Sequence, residues 1–219
     1  MGGKRANHSS PTAEDLVATV RAEGIGEPRL LAAIRDVPRA EFAPRGFAGR
    51  AYEDHPLPIG HRQVTTQPSL VARMVEGLGL RGPERVLEVG TGSGWQTALL
   101  ARLAAFVWSI ERWADLAADA RDRLVRVGAR NVEVVVGDGT EGLPEHAPYD
   151  AIIVSAAYPS VPGPLAAQLA DGGRLVQPLG HGGAEEVMLF ENVEGRLERR
   201  RLLTRAHFVP LHGRHGFRS

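Results

Sequence analysis

Three acidic residues and a run of alternating glycines are the groups in this chain whose types and spacing could do chemistry. In Val86-Leu-Glu-Val-Gly-Thr-Gly-Ser-Gly-Trp95, an apolar run carries Glu88 and then meets Gly90, Gly92 and Gly94. Glycines spaced this way let backbone approach a ligand where side chains would block it. A helical pattern over residues 96–103 follows, so the loop opens onto a helix N-terminus. Glu111 ends the next apolar run, Phe106-Val-Trp-Ser-Ile110. There a carboxylate can accept hydrogen bonds from both hydroxyls of a ribose, although a solvated surface Glu is the plainer reading. Asp138 follows the third run in Gly137-Asp-Gly139, which is also an ordinary turn sequence. Acids at three successive strand ends suit a ligand lying across the carboxyl edge of an α/β sheet.

The loop narrows the choice of ligand. A P-loop needs Gly-Lys followed by Ser or Thr, and here Gly94 is followed by Trp95-Gln96. A dinucleotide fingerprint reads G-x-G-x-x-G, whereas this one reads G-x-G-x-G with Glu88 just before it. Pyrophosphate favours a loop without a neighbouring carboxylate. S-adenosylmethionine, which carries an ammonium and a sulfonium but no phosphate, fits that charge. A glycine-rich turn that holds no ligand stands as the alternative.

The elements that must position these groups follow from periodicity. Strands are expected at 85–89, 106–111, 132–137, 149–155 and 173–178, with helices at 96–103, 113–127 and 164–170. Short, mostly apolar strands alternating with helices predict a doubly wound α/β fold around a mostly parallel sheet. Runs at 187–192 and 202–209 predict a closing C-terminal antiparallel hairpin. Arg199-Arg200-Arg201, beside Glu194 and Glu198, reads as its solvated face. Upstream, Thr12-Ala-Glu-Asp15 resembles a capping box opening a helix that runs to Gly24, with Leu16, Val17 and Val20 facing inward. Helices over 27–36 and 69–80 complete an N-terminal helical segment, stopped by Pro38 and by Gly82-Pro83. Between them, residues 39–67 lose periodicity, and a coil of that length is usually functional. The expected organisation is a disordered tail at 1–11, a helical segment with its loop at 12–82, and a cofactor-binding domain at 83–219.

The chain has 219 residues, and Lys plus Arg equals Asp plus Glu at 26 each, so it lacks the basic footprint of a nucleic-acid binder. Cysteine is absent, which excludes disulfides and thiolate chemistry and fits a reducing cytosol. No apolar run reaches membrane-spanning length, and residues 1–11 have no signal-peptide core. Eight His residues lie scattered without ligand spacing, so no metal site is expected. A cytoplasmic monomer with no nucleic-acid or membrane partner is the expectation.

Several segments together resemble the protein-L-isoaspartate O-methyltransferase family. Tyr52-Glu-Asp-His-Pro-Leu-Pro-Ile-Gly60 and Gln63-Val-Thr-Thr-Gln-Pro68 are similar to its substrate loop, and residues 87–97 to its cofactor loop. Pro148-Tyr-Asp-Ala-Ile-Ile-Val154, Gly172-Gly-Arg-Leu-Val176 and Phe208-Val-Pro-Leu211 resemble the rest of its domain. The resemblance implies a Rossmann-like class I methyltransferase that esterifies isoaspartyl carboxylates of proteins or peptides with S-adenosylmethionine, so that succinimide formation begins repair. It further implies that Glu88, Gly90, Thr91 and Gly92 line the methionine end of the cofactor. Glu111 and Arg112 would hold its ribose side and Asp138-Gly139 its adenine side, with Thr65 and Thr66 also touching it. Asp54, Ile59, Gly60 and Thr65 would meet the substrate. Thr66 stands at the family's catalytic Ser, whose hydroxyl touches the substrate carboxylate. His61-Arg62 departs from the family pattern, which has an aromatic or Gly and then a small residue.

A carboxylate nucleophile is ionised at neutral pH, so the reaction needs positioning and desolvation rather than a strong base. Two roles fit Thr66: orienting that carboxylate, or capping the helix that begins near Ser69. Asp54 could hold a peptide amide, fix the loop, or form an Asx-turn before Pro56. Trp95 could contact the cofactor, but a core aromatic at the helix start is the stronger reading. The altered loop keeps open a modifier that esterifies ordinary Asp in a ribosomal peptide to give an aspartimide. A non-catalytic cofactor-binding partner protein and a small-molecule methyltransferase are further alternatives.

Overall fold

A computed structural model describes residues 10–218. Of the expected tail, residues 1–9 lie outside the described residues. The N-terminal segment begins with helix α1 (Ala13–Ala22), where the capping box forms as expected. The Thr12 hydroxyl accepts the Asp15 N–H, and the Asp15 carboxylate accepts the Thr12 N–H at 2.8 Å. Helix α2 (Pro28–Asp36) is capped by the Glu27 carboxylate and ends before Pro38. Leu16, Val17, Val20, Leu30, Leu31 and Ile34 are all buried, as their spacing predicts.

Residues 39–67 are more structured than their sequence suggests. Single 3-10 turns occur at Arg39–Phe42 and Ala48–Arg50, and strands β1 (Pro58–Gly60) and β2 (Gln63–Val64) form a small antiparallel hairpin. Its turn residues, His61 and Arg62, both have positive φ, at 47° and 57°. Asn and Gly are the usual occupants of such a turn, so the sequence gives no hairpin signal here. Helix α3 (Pro68–Leu78) follows.

The main sheet has seven strands. β3 (Arg85–Val89), β4 (Phe106–Glu111), β5 (Val132–Val136), β6 (Tyr149–Val154) and β7 (Leu169–Leu179) run parallel, and β8 (Glu185–Val193) and β9 (Arg196–Ala206) close it antiparallel. Their order is β5-β4-β3-β6-β7-β8-β9. Helices α4 (Trp95–Leu103), α5 (Ala114–Arg126) and α6 (Gly163–Ala167) are the connections. Along β3 the faces alternate. Val86 packs with α1–α4, whereas Leu87 and Val89 pack with Ile110, Tyr149 and Leu165 on the opposite side. Chain order reverses between β4 and β6 about β3, and a cleft forms outside the carboxyl ends of strands at such a reversal.

Two element bounds depart from the periodicity. A helix is expected at 164–170, but α6 stops at Ala167 and β7 already begins at Leu169. Pairing decides this: Leu169 sits opposite Tyr149 in the parallel ladder, and Asn192 Nδ2 donates to its carbonyl at 2.8 Å. The final strand covers Arg196–Ala206 rather than 202–209. Its first half is Arg- and Glu-rich because β9 is an exposed edge, where charge discourages further pairing, and this hides the strand from an apolar-pattern search.

Candidate active site

A cleft of about 1090 Å³, counting its open mouth, lies over the carboxyl ends of β3, β4 and β6. Gly90, Thr91, Gly92, Glu111, Arg112 and Gly139 line it from the sheet side, and Ile59, Thr65 and Thr66 line it from the hairpin side. Of the expected site residues, Asp54, Gly60, Glu88 and Asp138 stand outside its lining.

Backbone geometry explains the glycines. Gly90, Gly92 and Gly94 all have positive φ, between 54° and 96°. A Cβ on Gly92 would lie 3.3 Å from Ile59 Cδ1, so the glycine loop and the 58–64 hairpin meet at that point. Gly139 is constrained differently, because a Cβ there would come within 2.4 Å of Val89.

Each acid occupies a distinct environment. Glu111 is 6% exposed and uses its two oxygens to accept the N–H groups of Gly92 (2.9 Å) and Trp113 (3.1 Å). Its carboxylate therefore fixes the loop while still lining the cleft, with lone pairs left for a ligand. Glu88 is fully buried beneath the loop. Thr97 and Ser109 donate to one oxygen at 2.5 and 2.6 Å, and Gln96 donates to the other at 2.9 Å. Burial raises its pKa to about 7, and these three hydrogen bonds offset only part of that rise. Asp138 turns towards the C-terminal segment. It accepts from the Thr140 N–H and hydroxyl (2.9 and 2.7 Å) and from the Arg214 N–H (2.7 Å). Burial would raise its pKa, but these hydrogen bonds outweigh it and the pKa falls. Residues Val209, Pro210, Leu211 and His212 of that segment complete the cleft wall.

On the hairpin side, the competition between roles for Thr66 has a structural outcome. Asp54 takes the helix-start position. Its carboxylate accepts the Ser69 N–H at 2.8 Å and the Gln67 side-chain amide at 2.8 Å. The Thr66 hydroxyl, by contrast, hydrogen-bonds to no described residue and lines the cleft. Thr65 closes the hairpin base. Its N–H donates to the Leu57 carbonyl at 2.7 Å, and its Oγ1 accepts the Leu57 N–H at 2.9 Å.

Arg39, Gln96 and Trp113 escaped the sequence reading. Arg39, 2% exposed, reaches the carbonyls of Ala51, Glu53 and His55 and the Thr65 hydroxyl, and lies 5.1 Å from the Trp95 ring centroid. Burial lowers its pKa to about 10, so it is a cation at neutral pH. It sits in an aperiodic coil and its partners are main-chain oxygens, so no pattern marks it. Trp95 is both a core residue, as expected, and part of the cleft wall. Gln96 and Trp113 also line the cleft. Gln96 Oε1 and the indole nitrogens of Trp95 and Trp113 are buried without a hydrogen-bond partner among the described residues. Among the described residues no three His, Asp or Glu side chains cluster as a metal site.

This geometry coincides with what comparison finds. The family model described as protein-L-isoaspartate(D-aspartate) O-methyltransferase matches residues 11–216. A protein-L-isoaspartate O-methyltransferase of Methanoculleus marisnigri is 52% identical over 200 residues, covering 91% of this chain and 90% of its own. One from Alkalilimnicola ehrlichii is 51% identical over 207 residues, covering 94% and 93%. A solved protein-L-isoaspartate O-methyltransferase superposes with a TM-score of 0.83 at 28% identity, over 94% of this chain and 67% of its own. A putative one from Plasmodium falciparum, in complex with S-adenosyl-L-homocysteine, shares the fold with a TM-score of 0.80 at 21% identity, over 92% and 99%. On the family match and the half-identical relatives, this chain belongs to the protein-L-isoaspartate (D-aspartate) O-methyltransferase family.

Proposed function

We infer that the chain transfers the methyl group of S-adenosylmethionine to the free carboxylate of isoaspartyl residues in proteins or peptides. The observation that carries this reading is the meeting of two walls in one cleft. An acid-anchored glycine loop lies on one side, and a hydroxyl-bearing hairpin lies on the other, in contact at Ile59 and Gly92. The residues present fit the cofactor. Glu111 keeps lone pairs for ribose hydroxyls, and the glycines leave room for close approach. The unpartnered Gln96 carbonyl and Trp113 indole N–H await polar groups of opposite kind.

When bound, the cofactor supplies an electrophilic methyl on a sulfonium. The chain holds the carboxylate in line with it: a new oxygen–carbon bond forms, the sulfur–carbon bond breaks, and the opposite charges cancel. Walls such as Ile59, Val89, Ile110 and Leu116 favour that cancellation by excluding water. The Thr66 hydroxyl orients the carboxylate without neutralising it. Asp54 holds the loop in register through Ser69 and Gln67 rather than reaching the substrate itself. The neighbouring backbone amide nitrogen then attacks the ester and expels methanol to give a succinimide, which water reopens to Asp or isoaspartate.

The altered loop, His61-Arg62 and Val64-Thr65-Thr66, motivates the alternative of a modifier of ordinary Asp; of these residues His61 pairs with Asp115 at the rim and does not itself line the cleft. We also read residues 12–82 as the substrate-side unit and 83–219 as the cofactor unit. We keep the reading of a cytoplasmic monomer acting on protein chains; among the described residues no helix is long and apolar enough to cross a membrane. The test is transfer of labelled methyl to a pair of peptides that differ only in carrying isoaspartate or Asp. Labelling of the isoaspartyl peptide alone is expected. Labelling of the Asp peptide alone would overturn the repair reading.

A further inference from the structure

The tip of the 58–64 hairpin is an unfavourable local structure held by distant contacts. His61 and Arg62 both sit at positive φ, a conformation that strains residues bearing a Cβ. Such an outlier persists when its surroundings over-determine it. Those surroundings belong to the cofactor side. The His61 imidazole stacks on the Trp113 indole with centroids 4.0 Å apart and planes 6° from parallel. His61 Nε2 lies 2.8 and 3.0 Å from the two oxygens of Asp115. The contact with His61 holds the Asp115 carboxyl below its ordinary pKa. Trp113 in turn lines the cleft, and its backbone N–H donates to the Glu111 carboxylate at 3.1 Å. A continuous path therefore runs from the hairpin tip to the acid that seats the ribose.

We propose that His61 is a positioning residue that latches the substrate hairpin across the cofactor cleft, through its stack on Trp113 and its pairing with Asp115. The proposal rests on the cofactor reading above and adds to it. The hairpin carries Ile59, which meets the glycine loop at Gly92, so its closure retains the cofactor beside Thr65 and Thr66 at its base. Opening needs the stack and the pair to part together, whereas the base of the hairpin stays anchored at Thr65 and Leu57. His61 thus couples cofactor residence to the placement of the substrate loop. Its imidazole is the departure from the family pattern noted in the sequence.

The experiment is stopped-flow dissociation of S-adenosylhomocysteine from the full chain, followed by tryptophan fluorescence, with thermal denaturation in parallel. Gly accepts positive φ better than His does. A purely local turn role therefore predicts that His61→Gly is as stable as wild type or more so, and releases the ligand at the same rate. The latch predicts release about tenfold faster with no loss of melting temperature, the effect of losing one aromatic stack and one exposed hydrogen-bonded contact. His61→Phe should recover most of the slow release by keeping the stack. Asp115→Asn should accelerate release by about two- to threefold, and adding it to His61→Gly should change nothing further. Release from His61→Gly within twofold of wild type overturns the latch, as does acceleration that only tracks a fall in melting temperature. Failure of the wild-type chain to bind S-adenosylhomocysteine would instead sink the cofactor reading, and the latch with it.

Discussion

The two walls of the cleft are built by different means. The cofactor wall inherits its geometry from the sheet. Glu88 and Glu111 occupy successive parallel strands, β3 pairs with β4 from Arg85–Phe106 to Val89–Ile110, and a buried network ties Glu88 to Thr97, Ser109 and Gln96. The substrate wall has only a two-stranded ribbon and turns, a unit too small to be stable alone. Long side chains hold it instead. Arg39 gathers three carbonyls, Asp54 reaches α3, and His61 reaches α5. A sheet-built wall tolerates the loss of one side chain, because the ladder keeps the strand ends in place. A wall of side-chain ties concentrates its stability in a few residues.

That contrast breaks most visibly at Arg39. Arg39→Met leaves the carbonyls of Ala51 and His55 without their donor, so urea unfolding should register a loss of about 2–4 kcal/mol. Arg39→Lys keeps the charge but not the planar fork, and should recover less than half. A change under about 0.5 kcal/mol in Arg39→Met would mean that the substrate wall does not depend on this tie.

Glu88 tests the other wall, with the opposite sign. Its folded pKa, about 7, lies above the ordinary value of 4.5, so the fold favours the protonated form. Its contribution is fully present below about pH 4.5 and is lost as pH rises through about 7. Glu88→Gln should therefore match wild type near pH 4 and exceed its stability above pH 7, by about 2–3 kcal/mol. A rotated Gln96 amide would offer its unpartnered Oε1 to the new N–H. Parallel stability curves for the two proteins across that range would contradict the assignment.

Within the cofactor wall, Glu111 and Asp138 should separate. Glu111→Ala removes a cleft-lining acceptor, so calorimetry should show S-adenosylhomocysteine affinity falling by about 1.5–3 kcal/mol. Asp138→Ala removes contacts to Thr140 and Arg214 instead, and should cost about 1 kcal/mol of stability with a smaller change in affinity. Equal affinity losses would place both carboxylates on the ligand. At Thr66 the expected effect is on turnover rather than on affinity. Thr66→Ala should lower kcat by about tenfold with cofactor affinity intact, and Thr66→Ser should restore it, since only the hydroxyl is required. A drop in melting temperature without a change in kcat would return Thr66 to a structural role.

The same division decided what the amino-acid order reveals. The glycines and Glu111 are legible because a buried parallel strand must be apolar and a tight approach must be glycine, whereas the burial of Glu88 beneath the loop, outside the cleft lining, is not. Asp138 is locatable too, but the partner of its carboxylate lies at Arg214, far along the chain, and only folding reveals it. Arg39 and Trp113 carry no periodic mark, and the hairpin is masked by His61-Arg62 in a turn that usually takes Asn or Gly. Likewise, β9 was hidden by the charges that protect its exposed edge.

A structure of the chain with S-adenosylhomocysteine and an isoaspartyl peptide tests the central claim most directly. The account predicts the isoaspartyl carboxylate between the walls, one oxygen within about 2.6–3.0 Å of the Thr66 hydroxyl and another facing the cofactor sulfur. Ribose hydroxyls on Glu111 complete the prediction. A peptide carboxylate bound away from Thr66, or a ribose away from Glu111, would contradict it.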